Sequence, residues 1–430
     1  MEYSVSRVDI TPVMDVFMDG YGARNGLSKG VHDSIYANSL LLKDNGSSFL
    51  ILSMDILSIK REKADEIKQK IAAKYGLTGQ NILIHATHVH SGPALAAKLS
   101  RGCIEEYVKF FDEQVMKCVD MCFKDTKTGT LYYGEGETYI GMSRRQRAAG
   151  EVRLAPAPDV PVDRKLSVLV IKDKNEKIAA VVFNCACHPA TMGGDNYLIS
   201  AEFPGVARKV IEERFPGSTS LFIQGACGDI NPAVISKGSE YRQAYFSDVE
   251  FSGKILANDV SQVIKYGLKK VEPSFGFHIR SLTLPIGEYR MEYFREMAES
   301  GQEYRRKYGK YMLEKIEKGE ETKEVKYDLG IIRLASNLKM ITFEGEVCSE
   351  YGVWIREFEP LVNIMIAGYS NGHKSYLPTK RILHEGGYEA TVTYCWAGYP
   401  GPYAENVQDI VLNAVKEEFS GEYRQTGGIK

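Results

Sequence analysis

The chain predicts an α/β fold: a mixed sheet wrapped by helices, with its candidate site at the strand ends. Short apolar runs of strand length alternate with longer stretches of helical period from the amino terminus onward. The runs are near-continuous in apolar residues, as expected of strands buried on both faces. Several of them end in His, Asp, Glu or Tyr followed closely by Gly or Pro. Those ends are where open α/β sheets keep their chemistry.

Met1-Glu2-Tyr3-Ser4-Val5 enters strand-like sequence at once. Ser39-Leu40-Leu41-Leu42, a turn at Asn45-Gly46, and the run from Phe49 to Asp55 give two more strands. Residues 61–75 carry a polar-faced helix pattern closed by Gly76. Asn81-Ile82-Leu83-Ile84 is a buried strand, and a long helix follows over 104–123. Residues 149–161 hold Pro156, Pro158 and Pro161 and read as a loop, a candidate flap on the substrate side. The apolar runs 166–171 and 178–184, joined by a polar turn over 172–177, read as a β-hairpin. A helix is expected over 203–215 and a strand over 220–224. Residues 289–321 are dense in Glu, Lys, Arg and Tyr, and read as one or two solvated surface helices rather than a binding surface. Late strands are expected over 339–343 and 362–369. With no internal repeat and no low-complexity linker, residues 1–430 are expected to form one large domain.

Composition narrows the function classes. Hydrophobic residues at 44% and charged residues at 26% are globular values. A net charge of −2 argues against an electrostatic nucleic-acid binder, which would show a basic stripe. No apolar run approaches the ~18–20 residues that span a bilayer. The amino terminus lacks the basic-then-apolar pattern of a secretory signal, so a cytoplasmic protein without stable membrane association is expected. Eight cysteines are scattered without framework spacing, Cys185 and Cys187 being too close for an ordinary disulfide, so free buried thiols are expected. The expected partner is a small-molecule substrate, with the oligomeric state left open.

The chemistry is carried by Thr87-His88-Val89-His90-Ser91-Gly92-Pro93. Histidines spaced i, i+2 at a strand end point to one side, and imidazole suits zinc and similar metals. Alone, the pair is as consistent with a structural role. A third histidine, His188, ends the run through Cys187 in a similar position, which makes a shared metal the better reading. Gly225-Ala226-Cys227-Gly228-Asp229-Ile230-Asn231-Pro232 follows another strand and would bring the Asp229 carboxylate and the Asn231 amide to the same cleft. Late in the chain, Glu344-Gly345-Glu346 offers the carboxylate expected beside two or three histidines around zinc. Tyr376, in the segment from Asn371 to Thr379, is a candidate metal ligand or oxyanion partner.

In this order the motifs resemble the neutral/alkaline, non-lysosomal ceramidase family, zinc-dependent N-acyl hydrolases. Val8-Asp9-Ile10-Thr11-Pro12, with Gly20-Tyr21 and Gly30-Val31-His32, looks like that family's amino-terminal signature. Residues 87–93 are similar to its Thr-His-Thr-His-Ser-Gly-Pro motif, the most specific of the set. Residues 184–192 resemble its second histidine segment, and Gly228-Asp229-Ile230-Asn231-Pro232 its Gly-Asp-Val-Ser-Pro. Gly345-Glu346 resembles its Pro-Gly-Glu, and Tyr376-Leu377-Pro378-Thr379 its Tyr-Ile-Thr-Thr. The resemblance implies zinc held by His88, His188, Glu346 and Tyr376. It implies His90 as a substrate-facing group beside the metal, and Arg144 as a substrate contact. Asp55 and Asp229 are the candidate carboxylates for orienting ligands.

Two departures from the family pattern shape the expected mechanism. The serine regarded as the family's nucleophile is Asn231 here, and an amide cannot form an acyl-enzyme. Attack by zinc-bound water on an amide remains, with His90 or Asp229 carrying the proton to the leaving amine and Tyr376 with Asn231 steadying the oxyanion. Soon after Tyr403-Ala404-Glu405 the chain ends, so the carboxyl-terminal β-domain of full-length ceramidases is expected to be absent and membrane ceramide is not the expected substrate. The alternatives are an esterase, lactonase or deacetylase acting on a small polar or sugar-derived substrate, and a non-catalytic binding homologue.

Overall fold

A computed structural model describes residues 1–96, 102–391 and 393–426 of the chain. Its largest sheet has nine strands. Across it run Thr219–Gln224, Ile178–Cys185, Lys165–Asp173, Lys127–Glu137, Glu2–Asp9, Tyr36–Asp44, Ser47–Met54 and Ile82–Ala86, with Lys269–Val271 added beside Lys127–Glu137. The pairing is mixed: Ser47–Met54 with Ile82–Ala86 and Thr219–Gln224 with Ile178–Cys185 are parallel, and the hairpin of Lys165–Asp173 and Ile178–Cys185 is antiparallel.

Both faces of this sheet are covered, which explains the unbroken apolar runs. Leu50 and Leu52 face a core built with the helices Arg61–Tyr75, Glu105–Lys124, Glu202–Arg214 and Phe246–Tyr266. Their neighbours Phe49 and Ile51 face the opposite way, onto a second sheet of four strands: Gly276–Pro285, Glu324–Ala335, Leu338–Phe343 and Asn363–Ala367. A further core, including Phe294, Met312, Tyr351 and Val411, covers that sheet with the helices Met291–Ala298, Glu303–Glu317, Ser349–Phe358 and Val407–Thr426. The layers therefore run helix, sheet, sheet, helix.

Residues 149–161 are not the expected loop. Glu151–Ala157 is a strand paired with Gly141–Ala148 at the edge of a three-stranded sheet. Pro156 is tolerated there because an edge strand leaves one row of backbone groups without ladder partners. The segment 289–321 forms two helices as expected, but they are not merely solvated: Phe294, Met297, Tyr308 and Met312 are buried in the second core. All eight cysteines are free, and seven are buried.

Candidate metal centre

The histidines come from the large sheet. The strand Ile82–Ala86 ends just before His88, whose backbone takes a left-handed φ of 68°. That conformation costs a non-glycine residue about 1–3 kcal/mol and is held here by the surroundings. The backbone N–H of Thr87 donates to Met54 O at 2.9 Å and that of His88 to Ile56 O at 3.0 Å, stitching the kinked segment to its neighbour. The side chains of His88 and His90 do meet, with their Nε2 atoms 3.3 Å apart. The cause is this kink rather than the strand alternation expected from sequence.

Each ring is locked by main-chain carbonyls. His88 Nδ1 lies 2.8 Å from Leu57 O, and His188 Nδ1 lies 2.7 Å from Cys227 O and 3.1 Å from Ile230 O. A carbonyl oxygen can only accept, so both Nδ1 atoms carry the proton and both Nε2 lone pairs point inward. The backbone N–H of His90 donates to Pro189 O at 3.0 Å, tying the two histidine segments together.

The opposing groups come from the region of the four-stranded sheet. Glu346 and Tyr376 sit side by side in a two-residue parallel bridge. Gly345 makes this close approach possible, since a Cβ there would lie 2.4 Å from Ser375 O. Glu346 Oε2 is 3.3 Å from His88 Nε2, 3.2 Å from His188 Nε2 and 3.3 Å from the Tyr369 hydroxyl. Its other oxygen, Oε1, is 3.3 Å from His373 Nε2. The Tyr376 hydroxyl is 3.5 Å from His188 Nε2 and accepts from Arg144 Nη2 at 3.0 Å.

This donor set fits a metal ion. Two imidazole lone pairs and a carboxylate oxygen, all acceptors, converge within 3.3 Å, an arrangement that repels itself unless a cation sits among them. The ligand atoms of His88, His90 and His188 all lie within 4.8 Å of one another. Burial, with the Arg144 charge next, pulls the His188 imidazole down to about 4. Burial, with His88 and His188 beyond it, holds His90 well below the ordinary histidine range. Such rings are neutral near pH 7, the state that metal binding requires. Burial alone would raise Glu346, but the imidazoles of His88, His188 and His373 around it hold it well below the usual carboxylate range.

Arg144 is the hinge between the two sets. Its guanidinium donates to Tyr376, to Asn231 Oδ1 at 3.2 Å and to Glu389 Oε1 at 2.8 Å, and Glu389 also holds Arg145 Nη1 at 2.5 Å. Because Arg can only donate, the oxygen of the Asn231 amide must face it, which leaves the NH2 group of that amide turned away.

Of the residues singled out from sequence, His88, His90, His188, Glu346 and Tyr376 meet, with Arg144 and Asn231 alongside. The candidate orienting carboxylates act elsewhere. Asp55 binds Arg208 through both oxygens, at 2.8 and 2.5 Å, and accepts from the Thr87 hydroxyl at 3.2 Å. Both Asp229 oxygens accept from Ser349, at 2.7 Å from its N–H and 3.1 Å from its hydroxyl. Backbone carbonyls, not carboxylates, orient the rings. Sequence reasoning missed His373, Tyr369 and Glu389. His373 lies in the same segment, Asn371 to Thr379, as Tyr376, but Glu389 carries no local signal.

The neutral/alkaline non-lysosomal ceramidase, N-terminal, family matches residues 3–249. Among curated proteins, the chain is 24% identical over 249 residues to a neutral ceramidase of Pseudomonas aeruginosa, covering 54% of this chain and 37% of that protein. It is 26% identical over 251 residues to a neutral ceramidase of Mycobacterium tuberculosis, covering 53% and 39%. The matches thus span well under half the length of these relatives. A crystal structure of the Pseudomonas aeruginosa neutral ceramidase superposes with a TM-score of 0.76 at 18% identity, covering 97% of this chain and 73% of that one, so the fold is shared.

Proposed function

The chain belongs to the neutral/alkaline non-lysosomal ceramidase family, and from that premise we propose that it is a zinc-dependent hydrolase of an N-acyl amide bond in a small molecule. The observation that carries this reading is the convergence of the His88 and His188 lone pairs on Glu346. The proposed ligands are His88, His188, Glu346 and Tyr376, with His90 beside them. Zinc, when bound, acts as a Lewis acid that polarises the carbonyl and acidifies water.

The chain's own residues do the rest. With its oxygen held by Arg144 and one N–H directed to the Tyr241 hydroxyl, the Asn231 amide would have its remaining N–H for the oxyanion that develops on the carbonyl, a contribution worth roughly 3 kcal/mol in comparable sites. Arg144 also fixes the Tyr376 hydroxyl. His90, whose Nε2 lies 3.3 Å from His88 Nε2, stands beside the ligand set and would pass a proton to the leaving amine. The products are a carboxylic acid and an amine. Asp229 becomes a positioning residue: through Ser349 it braces the chain just past Glu346. A covalent route through Asn231 is closed, because an amide side chain is no nucleophile.

Elemental analysis of the purified protein tests the reading. About one zinc per chain is expected of a single catalytic site, lost in His188→Ala and Glu346→Ala, together with turnover on an amide panel. Well-folded wild type that takes up no zinc would overturn it.

A further inference from the structure

Two stretches distant in sequence flank this centre and meet at one side chain. On one side, Gly20 (φ 103°) leaves no room for a side chain, since a Cβ there would lie 2.9 Å from His90. The ring of Tyr21 stands edge-on to His90 with centroids 5.1 Å apart. A Cβ on Gly22 would lie 3.1 Å from Cη2 of Trp396. On the other side, Tyr388 stands edge-on to Tyr376 at 5.8 Å, beneath the Arg144 guanidinium at 5.3 Å, with its hydroxyl toward the Trp396 indole. Both walls end on Trp396, which is backed by Tyr304 at 5.3 Å and remains 44% exposed.

Trp396 leaves part of its indole open beside the rings of Tyr388 and Tyr304. Each wall here is a flat ring with a polar edge, phenol or indole. A linear alkyl chain gains only buried area from such walls, whereas a ring gains stacking on its face and polar partners at its rim.

We propose that Trp396, with Tyr388 and Tyr21, forms a stacking subsite that selects substrates carrying a ring next to the scissile amide, of the kind found in N-acylated amino sugars and aryl amides. The proposal rests on the amide-hydrolase reading for the bond that is cut, but binding can be measured without metal or turnover. The chain has two tryptophans, so Trp354→Phe leaves Trp396 as the sole indole reporter. The full-length Trp354→Phe protein is titrated with N-acetylglucosamine, acetanilide and N-acetylhexylamine while its emission is followed.

A saturable change is expected with one or both ring probes and not with the linear one, and which ring responds separates sugar from aryl. By calorimetry, Trp396→Ala should weaken the ring probe about tenfold, as loss of one aromatic stack predicts, and Trp396→Phe should retain most of it. An equal response to the linear probe overturns the proposal. So does undiminished binding in Trp396→Ala, or no saturable response to either ring probe up to its solubility limit. Zinc content in the same preparations reports separately on the hydrolase reading.

Discussion

The two sheets contribute to the centre in different ways. The nine-stranded sheet delivers histidines whose rings are held by main-chain carbonyls, Leu57 for His88, and Cys227 with Ile230 for His188. The region of the four-stranded sheet delivers an acid and a phenol held by side chains: Tyr369 and His373 on Glu346, and Arg144, backed by Glu389, on Tyr376. Main-chain carbonyls survive almost any substitution, so the first set is protected against drift in neighbouring side chains. The second set hangs on particular residues far apart in sequence, and substitutions at those residues disturb it. The difference locates the fragile half of the site.

The largest effect is expected from removing a member of the carbonyl-held set itself. His188→Ala should weaken metal binding beyond the about 10–100-fold cost of losing an outer partner, and abolish turnover, read as zinc per chain and kcat. Glu389→Gln tests the side-chain-held set. It leaves Arg144 and Arg145 buried without their shared carboxylate, and is expected to cost about 3–5 kcal/mol in denaturant unfolding. The same variant should lower kcat through Tyr376; unchanged stability and kcat would erase the contrast between the two sets. Asn231→Ala should lower kcat by about 10²–10³ with little change in KM. An unaltered kcat would remove Asn231 from the proposed oxyanion site while leaving the metal ligands in place.

The smallest effect probes a side chain within the carbonyl-held half. Glu202 opens the helix Glu202–Arg214 at φ 54°, accepts from Met192 N at 2.8 Å, and is raised by burial to about 7. A folded-state value above the ordinary 4.5 means that its contribution is full below that pH and fades as pH rises toward 7. Against Glu202→Gln, wild type should therefore lose up to about 3 kcal/mol of relative stability over that window. A stability difference that does not change with pH would contradict the assignment.

What the sequence disclosed follows the same division. The helix Arg61–Tyr75 was legible to its last residue because Gly76, at φ 69°, supplies the left-handed cap that a helix end favours. The hairpin of Lys165–Asp173 and Ile178–Cys185 was legible from its apolar runs and polar turn. The strand Lys127–Glu137 was not, because Gly129, Gly134 and Gly136 dilute its pattern. A Cβ at Gly134 or Gly136 would lie 2.8 Å from Val263 of the helix Phe246–Tyr266, so close packing, not strand propensity, chose those residues. In the site, the histidines announced themselves by local motif. Glu346 could be reached from its strand end, but nothing local tells it from Glu344, which pairs with Arg61 and lies away from the histidines. Glu389 was invisible, since its role exists only through Arg144 and Arg145, more than two hundred residues away.

The position of the strand Glu2–Asp9 bears on how the molecule is made. It is made before either of its neighbours, yet it lies inside the nine-stranded sheet, between Tyr36–Asp44 and Lys127–Glu137. One edge finds its partner 27 to 41 positions further along the chain; the other reaches its pairing at Lys127 and Thr128 only 124 to 126 positions on. Through that interval the young protein carries an open strand edge flanked by apolar side chains, the kind of surface that invites self-association. Slow translation or a crowded polysome should therefore lower soluble yield without changing any property of the finished molecule.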